Sequence, residues 1–128
     1  MSGLGLLGRS VFGHQFGRLF PQPLPRDEID AFWSLIAYND GTGINHLLIK
    51  YLDERKRHEL QWLAALGAHP APLRVIWGQR DPVSVPRIAE AILRQRPDAQ
   101  YVPLGDIGHY PQWEAPEIVA AEIRDFLG

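Results

Sequence analysis

The sequence predicts an α/β fold in which a helical segment over residues 1–68 precedes a strand–helix–strand–helix segment over residues 69–128. Apolar residues in the first segment recur at helical spacing. Leu73–Trp77 and Tyr101–Leu104 are short, mostly apolar runs bounded by glycine and proline, the pattern of strands. The stretch between them is long enough for a helix, the connection that parallel neighbouring strands require. With 128 residues, the chain is enough for one compact domain and too short for two.

In the helical segment, Pro21, Pro23 and Pro25 make a stiff extended connector. Asp27, Glu28 and Asp30 then put negative charge where a helix N-terminus favours it. Ile29, Phe32, Trp33 and Ile36 form one apolar stripe of that helix, and Asn39-Asp40-Gly41 stops it. A second helical pattern runs through Ile44, Leu47, Leu48, Tyr51 and Leu52. A third runs through Trp62, Leu63 and Leu66 and is closed by Gly67.

The second segment opens with Pro70 and Pro72, and its first strand, Leu73–Trp77, ends at Gly78. Ser84 is the expected N-cap of the following helix, with Pro86 in its first turn. Ile88, Ala91 and Ile92 mark its buried side and Pro97 its end. After the strand Tyr101–Leu104, a last helix begins near Pro116 and carries Val119, Ile123, Phe126 and Leu127 on one face.

Composition removes several function classes. Hydrophobic residues make up 45% and charged residues 22%, as in ordinary globular domains. A net charge of -2 supplies no general attraction for nucleic acid or anionic lipid, so neither is an expected partner. Without cysteine there are no disulfides and no thiolate metal sites. No apolar run approaches the roughly 18–20 residues that span a bilayer. The N-terminal stretch MSGLGLLGRSVFGHQF has no basic residue ahead of its apolar part, so it reads as neither span nor signal peptide. The compartment stays open, with the cytoplasm as the default. Gly3-x-Gly5-x-x-Gly8 matches a dinucleotide fingerprint but follows no strand. Glu54 and His58 lack a third metal ligand nearby, and Arg55-Lys56-Arg57 sits among acidic residues on a helix face. No cofactor is expected.

Working groups in open α/β sheets lie beyond the carboxyl ends of the strands. Asp81 follows the first strand in Gly78-Gln79-Arg80-Asp81-Pro82, and His109 follows the second in Gly105-Asp106-Ile107-Gly108-His109-Tyr110. Adjacent strands are about 4.8 Å apart, close enough for their end loops to join a carboxylate to an imidazole. A carboxylate on one ring nitrogen fixes the tautomer and leaves the other nitrogen free to take a proton. The competing reading is that Asp81 only makes a turn. Asp106 is a rival acid, although it shares the histidine's own loop. Trp33 and Trp62 read as core rather than as pocket lining.

These motifs resemble the C-terminal part of the α/β-hydrolases. The marks are Gly78, Asp81 and Pro86 after one strand, and Gly108-His109 with Glu114-Ala115-Pro116 after the next. Together with Asn39-Asp40-Gly41, Arg55-Lys56, Trp62, Trp77-Gly78 and His109-Tyr110-Pro111-Gln112, they look most like the mesoderm-specific transcript group, near the haloalkane dehalogenases and epoxide hydrolases. The resemblance implies a partial α/β-hydrolase fold, with residues 1–68 as a helical cap and 69–128 as the end of the core. It implies Asp81 as the triad acid, His109 as the general base, and a small, mainly apolar substrate with an ester, epoxide or carbon–halogen bond.

One element of that pattern is missing. The family's nucleophile sits on a Gly-x-Ser-x-Gly elbow, or its aspartate equivalent, which also supplies part of the oxyanion hole. None of Ser2, Ser10, Ser34 and Ser84 has glycines at the flanking positions. Loss of a triad member costs on the order of 10⁴ to 10⁶ in rate, so the chain alone is expected to be inert. The alternative is a non-catalytic remnant serving as a binding or interaction module. Only one strand neighbour for Leu73–Trp77 is encoded, so the other edge is expected to pair with a complementing chain or a second copy. Purified alone, the chain should therefore sediment faster than a monomer of 14.5 kDa and bind a hydrophobic dye. A monodisperse monomer with sharp, reversible unfolding would contradict this.

Overall fold

The computed structural model of the protein describes residues 8–128. Ser2, Gly3 and Gly5, and with them most of the apolar N-terminal run and the glycine fingerprint, lie outside the described residues. The elements in order are α1 (Arg9–Gly17), α2 (Arg26–Ala37), a 3₁₀ stretch (Tyr38–Ile44), α3 (Asn45–Leu48), α4 (Tyr51–Ala68), β1 (Arg74–Gly78), α5 (Pro86–Gln95), β2 (Gln100–Leu104), α6 (Pro111–Glu114) and α7 (Pro116–Leu127). They divide into two compact units. One holds the described residues through Arg18 together with Pro23–Glu59, and the other holds Leu19–Gln22 and Leu60–Gly128.

In the first unit, Phe12 and Phe16 lie one turn apart on α1 and are buried. Their rings stack 5.0 Å apart. Phe12 meets Trp33 of α2 at 5.5 Å and Phe16 meets Phe32 at 4.6 Å. The expected stripe of α2 is therefore the face that packs on α1, with Ile29, Phe32, Trp33 and Ile36 half-buried. Helix α1 itself was not legible, because Gly8, Gly13 and Gly17 weaken any helical reading of that stretch. Gly13 serves close packing: a Cβ there would stand 3.2 Å from Cγ2 of Ile29. Arg9 forms an ion pair with Asp30.

Helix α2 stops where its turn signal stands. Asn39 and Asp40 adopt left-handed backbone conformations, with φ of 49° and 56°. Asparagine and aspartate are the non-glycine residues that tolerate that region best. Two expectations need correction beyond this point. The second helical pattern yields only the short α3, and Tyr51 and Leu52 instead open the 18-residue α4. Gly67 does not close the last helix but lies inside it. The apolar residues of this stretch, Ile44, Leu47, Leu48, Tyr51 and Leu52, remain largely exposed.

In the second unit, β1 and β2 pair in parallel, with Arg74 opposite Gln100 and Gly78 opposite Leu104. Helix α5 connects them. Val75, Ala89, Leu104, Ala115 and Phe20 form the core. Helices α5, α6 and α7 each begin with proline in the first turn, where its fixed φ suits a helix and its missing N–H is not needed. Ser84 is not the N-cap of α5. Val85 holds that place, and no side chain caps the helix. No helix among the described residues is long and apolar enough to cross a membrane.

Two arginines lace this unit. Arg74 at the start of β1 donates to the carbonyl and carboxylate of Glu122 and to Asp125 of α7, and its guanidinium lies 5.2 Å over the Phe126 ring. The Arg96 side chain is only 6% exposed. It donates to the carbonyls of Leu66 and Ala71, at 3.3 and 2.8 Å, and to Asp98 at 2.9 and 2.8 Å. A buried guanidinium needs such partners, since an uncompensated charge is costly away from water. Hydrogen bonding from Arg96 holds the Asp98 carboxyl below its ordinary range. A depressed folded-state pKa contributes stability above the unfolded value of about 3.9 and loses it as pH falls through the lower folded value. Urea melts of Asp98→Asn should accordingly show a weaker loss of stability between about pH 5 and 3 than the parent protein.

Candidate active site

The strands end level, with Gly78 opposite Leu104, and their loops continue to bond to each other. The amide of Gln79 donates to Leu104 O at 2.9 Å and that of Arg80 to Ile107 O at 2.9 Å. This lacing is possible because Gly78 has no side chain. A Cβ there would overlap the carbonyl oxygens of Gly108 and Ile107. A Cβ on Gly108 would likewise run into Leu19 O and Cδ of Pro21.

Asp81 and His109 meet across this junction. Oδ2 of Asp81 lies 2.8 Å from Nδ1 of His109. Oδ1 of the same carboxylate accepts from the amides of Val83 at 2.8 Å and Ser84 at 2.9 Å. Asp81 thus makes the turn that the simpler reading expected of it and holds the imidazole as well, one oxygen for each task. At 8% exposure, the carboxylate has protein partners in place of water. An ionised carboxylate only accepts, so the proton of a neutral imidazole facing it sits on Nδ1. Nε2 then carries the lone pair and makes no hydrogen bond among the described residues.

The rival acid is elsewhere. Asp106 is exposed and stands 3.8 Å from Arg80, not on the imidazole. Trp62 is exposed on α4, and Trp33 packs half-buried against Phe12. Neither lines the cavity beside His109. That cavity, about 190 Å³, has apolar walls from Ile76, Trp77 and Pro111, with Asp81, Ser84 and His109 as its polar lining. The Trp77 indole is held by its Nε1, which donates to Ser84 O at 2.8 Å.

Several contributors had no clear sequence signal. The Tyr110 ring stacks on Phe20 at 5.4 Å and meets the His109 ring edge-on at 4.9 Å. Burial, and secondarily the charge of Asp81, raise the Tyr110 hydroxyl above its ordinary pKa, so it stays neutral at physiological pH. The amide of His109 donates to Leu19 O at 3.1 Å, and those of Gly108 and Tyr110 donate to the Glu114 carboxylate. Leu19 is remote in sequence and acts through its backbone, which no side-chain pattern reveals. Glu114 was visible as part of a motif but without a task.

The parallel strand–helix–strand unit is a partial α/β fold, with a carboxylate and an imidazole paired beyond its strand ends. No family model matches the chain. It is 45% identical over 124 residues to the Mycobacterium tuberculosis protein named "Putative hydrolase LipZ", across 95% of this chain and 43% of that protein. It is 33% identical over 91 residues to the mesoderm-specific transcript protein of Mus musculus, across 70% of this chain and 27% of that protein. Lipase 3 of a Moraxella species is 36% identical over 61 residues, 48% of this chain and 19% of the lipase. The chain resembles a protein named as a hydrolase over 95% of its own length and spans less than half the length of these curated relatives.

The junction is testable apart from any activity. Gly78→Ala should destabilise the protein by about 1–3 kcal/mol in chemical denaturation, the usual cost of forcing an extra group into a packed site. Gly105→Ala, whose Cβ would meet nothing within 4 Å, should be neutral or stabilising by up to about 1 kcal/mol.

Proposed function

We propose that this chain is the C-terminal part of an α/β-hydrolase, in which Asp81 is the acid and His109 the general base of a catalytic triad. The observation that carries the reading is the 2.8 Å contact between Oδ2 of Asp81 and Nδ1 of His109 in the lining of a cavity. His109 takes a proton through Nε2 from a nucleophile or from water. Its Nδ1–H stays on Asp81, whose negative charge stabilises the imidazolium that forms. The apolar walls supplied by Ile76, Trp77 and Pro111 support a small, mainly apolar substrate. An ester, an epoxide and a carbon–halogen bond all suit this base, and the nucleophile selects among them. The relative named as a lipase favours the ester.

The nucleophile and the oxyanion hole come, in this proposal, from polypeptide outside these 128 residues, which contain no elbow motif. The cavity volume supports that reading, since complete ligand sites usually enclose about 300–1,000 Å³. Residues 1–68 are assigned as the cap, on the pattern of amphipathic helices preceding the strand that carries Asp81.

Hydrolysis of a p-nitrophenyl ester tests this in two stages. The chain alone should be no faster than its Asp81→Ala, His109→Ala double variant. Joined to the N-terminal part of a related hydrolase that carries an elbow, it should gain activity that His109→Ala lowers by about 10⁴-fold or more. Activity of the chain alone that the double variant abolishes would point to a nucleophile within it, with Ser84 in the cavity wall as the first suspect. Persistent inactivity after joining would favour a non-catalytic binding module.

A further inference from the structure

We infer that Glu114 is a positioning residue for His109: its carboxylate clamps the backbone amides on both sides of the histidine and thereby aims the imidazole at Asp81. Gly108 N donates to both carboxylate oxygens, at 3.0 and 2.9 Å, and Tyr110 N donates to Oε1 at 3.1 Å. The amide between them, that of His109, is held by Leu19 O. Three consecutive amides therefore have fixed acceptors, two of them on one side chain. Hydrogen bonds to a charged acceptor are shorter and stronger than neutral ones, so this loop is restrained just where the histidine leaves it.

The local fold is arranged for this contact. Pro111 starts the single turn α6, in which Trp113 N and Glu114 N both donate to Tyr110 O, at 2.8 and 2.9 Å. That turn brings Glu114 back over the residues that precede it. Gly108 leaves room for the carboxylate, since a Cβ there would stand 3.1 Å from Oε1. None of the three Glu114 contacts is needed to close the β1–β2 ladder. The inference rests on the proposed role of the Asp81–His109 pair but concerns the geometry of the ring.

The test is NMR of the isotope-labelled chain with Glu114→Gln, Glu114→Asp and Glu114→Ala. It reads the Nδ1–H resonance of His109, the exchange of the Gly108 and Tyr110 amides, and the Gln100 amide, which donates to Leu73 O at 2.9 Å in the strand pairing, as the fold control. Oε1 alone accepts from both amides, so the glutamine oxygen can replace it, and Glu114→Gln should keep the His109 resonance. Aspartate keeps the charge but is one methylene too short. Glu114→Asp and Glu114→Ala should lose the resonance and exchange the two amides about tenfold faster or more, with Gln100 unchanged. If Glu114→Ala alone unfolds, the Gln and Asp variants decide. The inference is overturned by a resonance absent from the parent protein, by one that persists in Glu114→Asp, by one lost in Glu114→Gln, or by loss of Gln100 protection in both. Hydrolysis independent of His109 in the joined enzyme would sink the functional reading while leaving these signals intact.

Discussion

The second unit depends on a backbone-to-backbone contact at the end of its two-stranded sheet. The carbonyls of Ile107 and Gly108 occupy the volume that a side chain on residue 78 would fill. A parallel pair ends with two loops that ordinarily diverge to suit their own turns. Here the amides of Gln79 and Arg80 keep bonding to the opposite loop past the last strand residues. The loops stay within reach of each other, and a carboxylate three residues past one strand meets an imidazole five residues past the other. Glycine at 108 performs the same service on the far side, admitting Leu19 O, Pro21 and Glu114.

Given that junction, the polar groups close on themselves. Burying a carboxylate is unfavourable unless hydrogen bonds replace its water. Asp81 meets the condition with two amides on one oxygen and an imidazole on the other. The turn and the histidine contact are therefore mutually supporting, because the amides of Val83 and Ser84 fix the carboxylate plane that His109 sees. The same economy recurs in the histidine loop, where Glu114 and Leu19 O absorb three adjacent donors. Buried polar groups satisfied this fully specify one arrangement of the loops.

The first unit is organised by aromatic packing, with Phe12 and Phe16 of α1 against Phe32 and Trp33 of α2. Beyond the left-handed pair Asn39 and Asp40, the apolar residues of α3 and early α4 stay largely exposed. An apolar repeat at helical spacing is a statement about what a helix is able to bury, and here the described residues offer little to bury it against.

The sequence by itself determined the class of the fold, the two strands to within a residue, α2 with its packing stripe and its stop, and the proline-led helices α5 and α7. These rest on local chemistry: β-branched runs, 3.6-residue periodicity and the fixed φ of proline act within a few residues of chain. It also singled out Asp81 and His109, because position beyond a strand end is itself a sequence property. Tertiary structure decided what local chemistry leaves open. Helix α1 forms around Phe12 and Phe16 despite its glycines, since its packing on α2 outweighs their propensity. Ser84 yields the expected cap position to Val85, and its amide instead donates to Asp81. Asp106 turns out to Arg80, and the backbone of Leu19, ninety residues before His109 in the chain, becomes that histidine's acceptor. A carbonyl can bond to any amide, so its choice of partner is written only in the packing that brings the two together.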